Sequence, residues 1–377
     1  MLILPKHERQ IDWSFSYINQ PINSEWATIV SGDRKKVTLV DRNLSPKYEY
    51  QLPDETSCLA ISPKGDLLAA IMANGNHLAI VTAENQLVFE EQLANPPVEV
   101  SHLHNKNGFQ DCWFDADGVR FWCMKLIEMK QVEIQIRDTS SWQIQRQILL
   151  KDPLGAGSSF SFNPHPENQI LALYAAAGQH GQQIYWLYDD GMTIHVVKGP
   201  CLDETGPPEF HPAGGEFLVI NNYDRQISRF SFPDCNLLGI CEWPWPGLSD
   251  GFGSYMCYLS DDRILVNTDE GLMYLIDINK MEISDELILS GHEPRLCKEL
   301  YPTLKDLKEQ LCGDLHYFYR WDSDSIVSVH SQLPSQKPDS KQKTLVIFGG
   351  KELFGSLAKV QESAPYSKLF IQSLGIS

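Results

Sequence analysis

The segment SPKGD at residues 62–66, followed directly by the apolar run LLAAIMA at 67–73, decides the fold of this chain. Glycine, proline and aspartate favour tight turns, because each supports a backbone conformation or a local hydrogen bond that turns require. A short apolar run bounded by such residues is typical of a β-strand. The two segments together predict a turn that leads into a buried strand.

Similar turns recur along the chain at 115–118, 163–168, 211–215, 260–262 and 322–324. They are spaced by about 50 residues, an interval found in β-propeller blades with modest insertions. An apolar strand follows each turn, and a third strand follows each of those. An earlier repeat between Ile11 and Asp41 keeps the strands and lacks the turn. The repeats therefore predict about seven blades, each built from several strands.

We predict an all-β fold, a single seven-bladed β-propeller that spans residues 1–377. The predicted blades are 11–52, 57–93, 111–149, 159–199, 207–243, 255–290 and 315–350, with insertions at 291–314 and 331–343. Because an open sheet edge is unfavourable, we expect a strand from residues 1–8 or from 366–374 to close the last blade. Two β-sandwich domains are the alternative, but they give no reason for one turn to recur at a regular interval.

The repeats resemble those of the WD40 family. The resemblance rests on the SPKGD-type turn, on Asp41, Asp138, Asp189 and Asp277 at the ends of third strands, and on Gly291-His292 after the fourth strand DELILS. The sequence departs from the family because no third strand carries Trp-Asp, and because Thr82 and Gly349 replace the aspartate. The resemblance implies a hydrogen bond between the histidine and the third-strand aspartate of a blade. Because Gly349 stands at the aspartate position of the last blade, we expect His292 to lack its aspartate there.

Charge and cysteine usage limit the classes of partner. The chain carries 49 acidic and 31 basic residues, for a formal charge of -18. That charge disfavours nucleic acids and anionic membranes, which attract clustered Lys and Arg, and permits a basic protein partner. No segment has the pattern of a membrane span or a signal peptide. Nine cysteines without a C-x-x-C pair predict reduced thiols in a cytoplasmic protein, with one bridge left open between Cys112 and Cys123.

The long, variable loops are expected on one face of the propeller, and loops on a rigid scaffold are where binding usually occurs. Trp243-Pro244-Trp245, with Phe252 nearby, offers rigid apolar area of the kind that interfaces use, and the same rings would equally serve to cap a blade. The insertion contains LKDLKEQL, whose spacing predicts a helix packed as a lid through Leu304, Leu307 and Leu311. The candidate binding residues are Trp243, Trp245, Phe252, His104, Phe109, Asp203, Glu204, Tyr223, Arg225 and Asp269.

Catalytic motifs are missing from the sequence, which has no phosphate-binding loop, no G-x-S-x-G elbow and no H-E-x-x-H. His102 and His104 alternate but lack a third metal ligand, and we expect His165, His180 and His211 to be solvated in loops. We therefore predict a non-enzymatic protein-interaction scaffold that is monomeric by itself and uses no cofactor or metal. The alternatives are a lactonase-like or peptidase-like propeller hydrolase and an acidic inhibitor or immunity-type protein.

Overall fold

The polypeptide divides into two compact units. The first unit comprises Met1–Ser14 and Glu209–Ser363, and the second comprises Phe15–Pro208 and Ala364–Ser377. The computed structural model describes residues 1–12, 18–19, 26–94, 107–128, 131–151, 159–167, 169–176, 181–202, 206–222, 224–244, 252–268, 270–300, 311–320, 324–331 and 342–354. Two short strands of the first unit begin the chain, β1 (Leu2–Ile3) and β2 (Pro5–Asp12).

The second unit contains four antiparallel sheets, numbered one to four, and the strands of each follow one another in chain order. A short 3-10 helix, Ala73–Gly75, joins two strands of sheet two. Sheet one is β3 (Ile18–Asn19), β4 (Ala27–Val30), β5 (Lys36–Val40) and β6 (Pro46–Gln51); sheet two is β7 (Thr56–Ile61), β8 (Leu67–Met72), β9 (His77–Thr82) and β10 (Leu87–Gln92); sheet three is β11 (Gly108–Phe114), β12 (Arg120–Glu128), β13 (Gln131–Asp138) and β14 (Ile144–Lys151); sheet four is β15 (Ser159–Pro164), β16 (Ile170–Ala176), β17 (Gln182–Asp189) and β18 (Ile194–Leu202).

The SPKGD segment forms the predicted turn between β7 and β8. Gly65 adopts a positive φ of 73°, a conformation that glycine tolerates without a steric penalty. Its N–H donates to the Ser62 carbonyl at 2.9 Å, and the Ser62 hydroxyl donates to the Asp66 carboxylate at 2.6 Å. The Leu67 N–H donates to Ser62 Oγ at 3.0 Å, which places the apolar residues of β8 directly after the turn.

The aspartates at the ends of third strands have a local structural role. Asp41 follows β5 and accepts the N–H groups of Asn43 at 2.9 Å and Ser45 at 3.0 Å. These bonds hold the turn into the fourth strand, as aspartate commonly does in turns. Turn geometry therefore accounts for the aspartate of sheet one.

The core of the second unit lies between successive sheets. Five residues of sheet two and five of sheet three join one buried cluster with Trp142: Ala60, Ala69, Ile71, Leu78, Ile80, Phe109, Cys112, Phe114, Phe121 and Cys123. The second strand of sheet two, β8, is buried along nearly its whole length because apolar neighbours cover both of its faces. This explains why β8 is continuously apolar where a half-exposed strand would alternate.

The first unit contains three larger sheets, numbered five to seven, and one small hairpin. Sheet five is β19 (Glu209–Phe210), β20 (Glu216–Asn221), β21 (Gln226–Ser231) and β22 (Leu237–Glu242); sheet six contains β23 (Phe252–Ser260), β24 (Arg263–Thr268), β25 (Met273–Asp277) and β26 (Glu282–Leu289); the hairpin contains β27 (Arg295–Leu296), α1 (Cys297–Leu300) and β28 (Leu311–Cys312); sheet seven contains β29 (Leu315–Arg320), β30 (Ser325–Ser331) and β31 (Gln342–Gly349), followed by α2 (Lys351–Phe354).

Both N-terminal strands extend sheets of this unit. β2 pairs antiparallel with β31, with Glu8 opposite Val346, and so supplies the outer strand of sheet seven. β1 pairs parallel with β26 and adds a fifth strand to sheet six. The prediction that Ile11 begins the first blade was wrong, because Ile11 pairs with Lys343 near the end of β2. Residues 366–374, the competing candidate, lie outside the described residues.

The insertion before sheet seven contains a disulfide, so the prediction of reduced thiols was wrong for Cys297 and Cys312. Cys297 and Cys312 are bonded, and they lie on the short hairpin that β27 and β28 form. Cys112 and Cys123 do face each other across β11 and β12, as predicted, but both are free thiols. Leu311 does not pack as part of a lid, because it lies on β28 with 51% of its surface exposed.

Histidines in two turns are buried, contrary to the expectation that they are solvated. His165 is 2% exposed and His211 is 7% exposed. The Nδ1 atom of His165 accepts the N–H of Glu167, and that of His211 accepts the N–H of Ala213, both at 3.0 Å. Each imidazole therefore accepts a backbone N–H hydrogen bond that a carbonyl oxygen would accept in an ordinary turn. His180 lies outside the described residues.

His292 has an aspartate partner, so the expectation from the WD40 resemblance was wrong. Asp314, the residue before β29, accepts from His292 Nδ1 at 3.2 Å and from His330 Nδ1 at 2.7 Å. The WD40 pattern places the aspartate at the end of β31, where Gly349 stands. Here the carboxylate comes instead from Asp314, which precedes β29, an edge strand of sheet seven. Burial alone would raise the pKa of Asp314, but the two histidine hydrogen bonds lower it to about 2.

Candidate functional site

The predicted binding residues divide into those that the structure describes and those that it does not. Phe109, Arg225, Trp243 and Phe252 are described. Predictions for the remaining candidates lie outside the described residues: His104, Asp203, Glu204, Tyr223, Trp245 and Asp269, together with His102.

Trp243 and Phe252, which the sequence offered either as contact residues or as packing within a blade, are core residues in the structure. Trp243 is 9% exposed and Phe252 is 1% exposed. The indole of Trp243 packs edge-on against Phe252, with ring centroids 5.1 Å apart, and against Tyr274 at 5.5 Å. Large rings in this arrangement stabilise a core through buried area and edge-to-face contact. Trp243 therefore packs within the fold, the second of the two roles that the sequence allowed for this segment.

Phe109 is also buried, at 2% exposure, and cannot reach a partner. The Lys125 ammonium lies 4.9 Å from its ring centroid and forms an ion pair with Glu91. Lys125 thereby covers the ring with a cation–π contact and its own apolar stem.

Arg225 is the described candidate that remains partly exposed. It lies in the turn between β20 and β21 with a positive φ of 54°. Its carbonyl oxygen accepts the N–H of Trp243 at 2.9 Å. The structure therefore brings Arg225 and Trp243 together through the backbone, although 18 positions separate them in the numbering (243 minus 225).

A groove that the sequence did not predict lies in the first unit, between β22 of sheet five and β26 of sheet six. It has a volume of about 500 Å³ and is open to solvent on one side. The groove begins beside Pro244, so it adjoins the tryptophan segment that the sequence singled out. Its lining residues are Ile240, Glu242, Pro244, Met281, Glu282 and Ile283.

Met281, which lines the groove, packs closely against Gly239. A Cβ atom at Gly239 would lie 2.7 Å from Met281 Cγ, closer than atoms of this kind approach. Met281 itself is 8% exposed and has a positive φ of 53°, which turns the chain before β26 begins. Glycine at 239 therefore allows the two sheet edges to approach closely.

The rim of the groove combines apolar and acidic groups. On β22, the exposed fractions are 54% for Leu237, 50% for Leu238 and 40% for Ile240. Glu242 and Glu282 are exposed beside them, and neither has a salt-bridge partner in the described part of the chain. Burial raises the pKa of the neighbouring Cys241 to about 12, with the charges of Glu282 and Glu242 adding to the effect. The groove therefore has a negative potential.

The apolar run LLGI of β22 is the sequence feature that forms this edge. Such a composition by itself is compatible with a buried strand. The outermost strand of a sheet has a neighbour on one side only, so its outward side chains remain in water. The position of β22 in its sheet, which composition does not reveal, decides its exposure.

Ionisable groups on the first strands of the sheets bear on the hydrolase alternative. Asp111 of β11 accepts from the Cys58 thiol at 2.9 Å and from the Phe162 N–H at 2.6 Å. The adjacent Cys112 thiol and burial raise the pKa of Cys58, which keeps it protonated and weakly nucleophilic at neutral pH. These contacts favour a structural role for the cluster, linking the first strands of sheets two, three and four.

Comparison with known proteins defines the class. No protein family matches the sequence, and no curated protein matches it. The structure is similar to the crystal structure of the β-propeller domain of Cps50 (Swd1) from Myceliophteria thermophila. The TM-score is 0.54 at 10% identity, and the match covers 91% of this chain and 98% of that domain.

An identity this low shows the fold alone. Within the described residues, sheets one to seven each contain four strands of the blade type, and sheet six has a fifth. The chain is therefore a seven-bladed β-propeller, and the predicted fold class is confirmed. No helix among the described residues is long and apolar enough to cross a membrane.

Proposed function

We propose that this propeller is a non-enzymatic protein-interaction scaffold, and that it binds an extended partner segment along β22 and its groove. The observation that supports the proposal is the exposed apolar edge of β22 beside an acidic groove. The partner segment carries apolar side chains and at least one Lys or Arg. This partner agrees with the net charge of -18, which favours a basic protein.

The apolar part of the surface supplies affinity. Leu237, Leu238 and Ile240 expose between 40% and 54% of their surfaces on a single six-residue strand. Covering such side chains contributes about 25 cal/mol for each Å² removed from water. β22 pairs with β21 on one side only among the described strands, so its other edge offers backbone groups to an added strand. Strand addition of this kind is a common mode of peptide recognition.

The acidic part of the surface supplies orientation. Glu242 stands at the end of β22 and Glu282 at the start of β26, both lining the groove. A Lys or Arg of the partner is attracted to this end of the groove, which sets the direction of the bound segment. Charges at an exposed rim act mainly on association rate and specificity, so binding should weaken as salt increases.

The experiment is a selection from a random peptide library displayed on phage, with the intact protein as bait. We expect enriched peptides to share apolar residues and a Lys or Arg, and to bind with roughly micromolar affinity. Leu237→Lys should reduce the affinity of an enriched peptide about 10-fold or more, because it places a cation on the apolar edge.

Leu87→Lys is the matched control. Leu87 begins the outer strand of sheet two and is 54% exposed, the same fraction as Leu237. This variant should bind the peptide as the wild type does. Enrichment of no sequence, or equal loss of binding in both variants, would overturn the proposal.

A further inference from the structure

Three side chains of metal-ligating type converge in the first unit, away from the groove. They are His292, Asp314 and His330, and their ligand atoms all lie within 4.8 Å of one another. We infer that these residues bind a first-row divalent transition-metal ion, represented experimentally by Zn²⁺, between the two imidazole Nδ1 atoms and the Asp314 carboxylate.

The ligand atoms, which lie within 4.8 Å of one another, would move by up to about 1.5 Å to reach the spacing that a bound ion requires. The Asp314 carboxylate lies 3.2 Å from His292 Nδ1 and 2.7 Å from His330 Nδ1, and the imidazole centroids are 4.2 Å apart. Ligand atoms of a tetrahedral ion with bonds of about 2.1 Å are separated by about 3.4 Å. The carboxylate must therefore withdraw by less than about 1 Å, and a ring that donated its Nδ1 proton to Asp314 releases it to solvent.

The remaining nitrogen of each imidazole already has a partner that orients the ring. His330 Nε2 lies 2.7 Å from the Ser328 hydroxyl, and His292 Nε2 lies 3.6 Å from the Glu8 carboxylate. Histidine ligands of metal ions usually have this kind of outer partner, which holds the ring plane and selects the tautomer. Glu8 and Ser328 are therefore positioning residues for the site.

The backbone around the site is closely constrained. His292 and Asp314 lie on the two sides of the insertion that the Cys297–Cys312 disulfide closes. Gly313, next to Asp314, packs directly on the backbone of Gly271, and its N–H donates to the Glu270 carbonyl at 2.9 Å. A side chain at 313 would collide with that backbone. These contacts hold Asp314 in place before any ion binds.

Donor type and charge indicate which ion fits. Two imidazoles and one carboxylate favour zinc, cobalt, nickel or iron over the oxygen-seeking Mg²⁺ and Ca²⁺. The two positive charges of a divalent ion are balanced by the carboxylates of Asp314 and of Glu8, which lies behind His292. Among the described residues the group has three protein ligands, so water takes the fourth position. With His330 1% exposed, the ion would serve to hold the insertion, β30 and β2 together.

The experiment is calorimetric titration of the intact, chelator-treated protein with ZnCl₂ at pH 7, followed by Co²⁺ absorption spectroscopy. We expect one ion per chain, a raised melting temperature, and a tetrahedral Co²⁺ spectrum without thiolate charge-transfer bands. The last point separates this site from binding by free cysteines. His292→Gln should weaken Zn²⁺ binding more than about 100-fold, and Glu8→Gln about 10-fold.

The matched control is His195→Gln. His195 Nε2 lies 2.6 Å from Asp190 in sheet four, a histidine–carboxylate pair with no third ligand among the described residues. This variant should bind Zn²⁺ as the wild type does. Absence of stoichiometric binding, thiolate bands in the Co²⁺ spectrum, or unchanged affinity in a folded His292→Gln protein would overturn the inference.

Discussion

Arg120 of β12 donates a 2.9 Å hydrogen bond from Nη1 to the carboxylate of Asp189 at the end of β17. The side chain of Asp189 is completely buried, and Arg146 donates to the same carboxylate at 2.7 Å. Arg120 also pairs with Asp115 of its own sheet. This network joins sheets three and four at the position where the repeat places an aspartate.

Replacing Asp189 with asparagine should lower the free energy of unfolding by about 3 kcal/mol, because it leaves two partly buried guanidinium groups with less compensating charge. Urea denaturation monitored by tryptophan fluorescence measures the change. Asp277→Asn is the control, since Asp277 is 27% exposed and mainly holds a turn. It should cost about 1 kcal/mol or less. Equal losses in the two variants would contradict the proposed role of the network.

Glu209 should make stability depend on pH. Burial raises its pKa to about 7, against the lowering effect of the nearby Arg320 charge. Between the ordinary value of 4.5 and 7, the folded protein holds a proton that the unfolded chain releases, so the free energy of unfolding falls as pH rises. Glu209→Gln has no titrating carboxyl at this position. Its free energy of unfolding should therefore rise by about 1–2 kcal/mol relative to that of the wild type between pH 5 and pH 8. A pH-independent difference would contradict it.

The Cys297–Cys312 bond should be detectable as a single cross-link in the purified protein. Peptide mapping without reductant is expected to recover these two cysteines in one linked fragment. Cys297→Ser should lower stability by at most about 3 kcal/mol, the chain-entropy estimate for a loop of this length. Reduction of the wild type should give the same loss and leave the variant unchanged. A reduced pair in protein purified under air would contradict the structure.

Gly239→Ala should disturb the groove, since its Cβ would meet Met281. We expect a loss of about 1–2 kcal/mol in stability and weaker binding of any peptide selected on the groove. Met281→Ala in the same chain should restore part of both losses by making room. The double-mutant cycle measures this coupling, and strict additivity would show that the two residues do not act through their contact.

Trp243 and Trp245 should behave differently when truncated. Trp243→Ala should cost about 3–5 kcal/mol, because its indole packs between Phe252 and Tyr274. The sequence predicts that Trp245→Ala lowers partner affinity without unfolding the protein. Thermal melting and peptide binding on both variants separate the two roles, and a large stability loss for Trp245→Ala would show that it too is a core residue.

Local signals in the sequence predicted the fold well. The SPKGD turn and the strand β8 lie where the pattern placed them, because turn residues and short apolar runs act over a few neighbouring positions. The candidate site was predicted less well. Trp243 was singled out for its size and rigidity, but composition does not reveal that Phe252 and Tyr274 cover it. The sequence did not predict the exposed edge of β22.

The sequence by itself determined an all-β propeller of about seven repeats, with the turns and aspartates that shape them. Only the tertiary structure decided that β2 is the outer strand of sheet seven, that Cys297 pairs with Cys312, and that Asp314 lies between His292 and His330. The physical reason is the range of the interactions. Turn and strand preferences depend on adjacent residues, whereas edge position, disulfide pairing and side-chain convergence depend on contacts between segments that are distant in the chain.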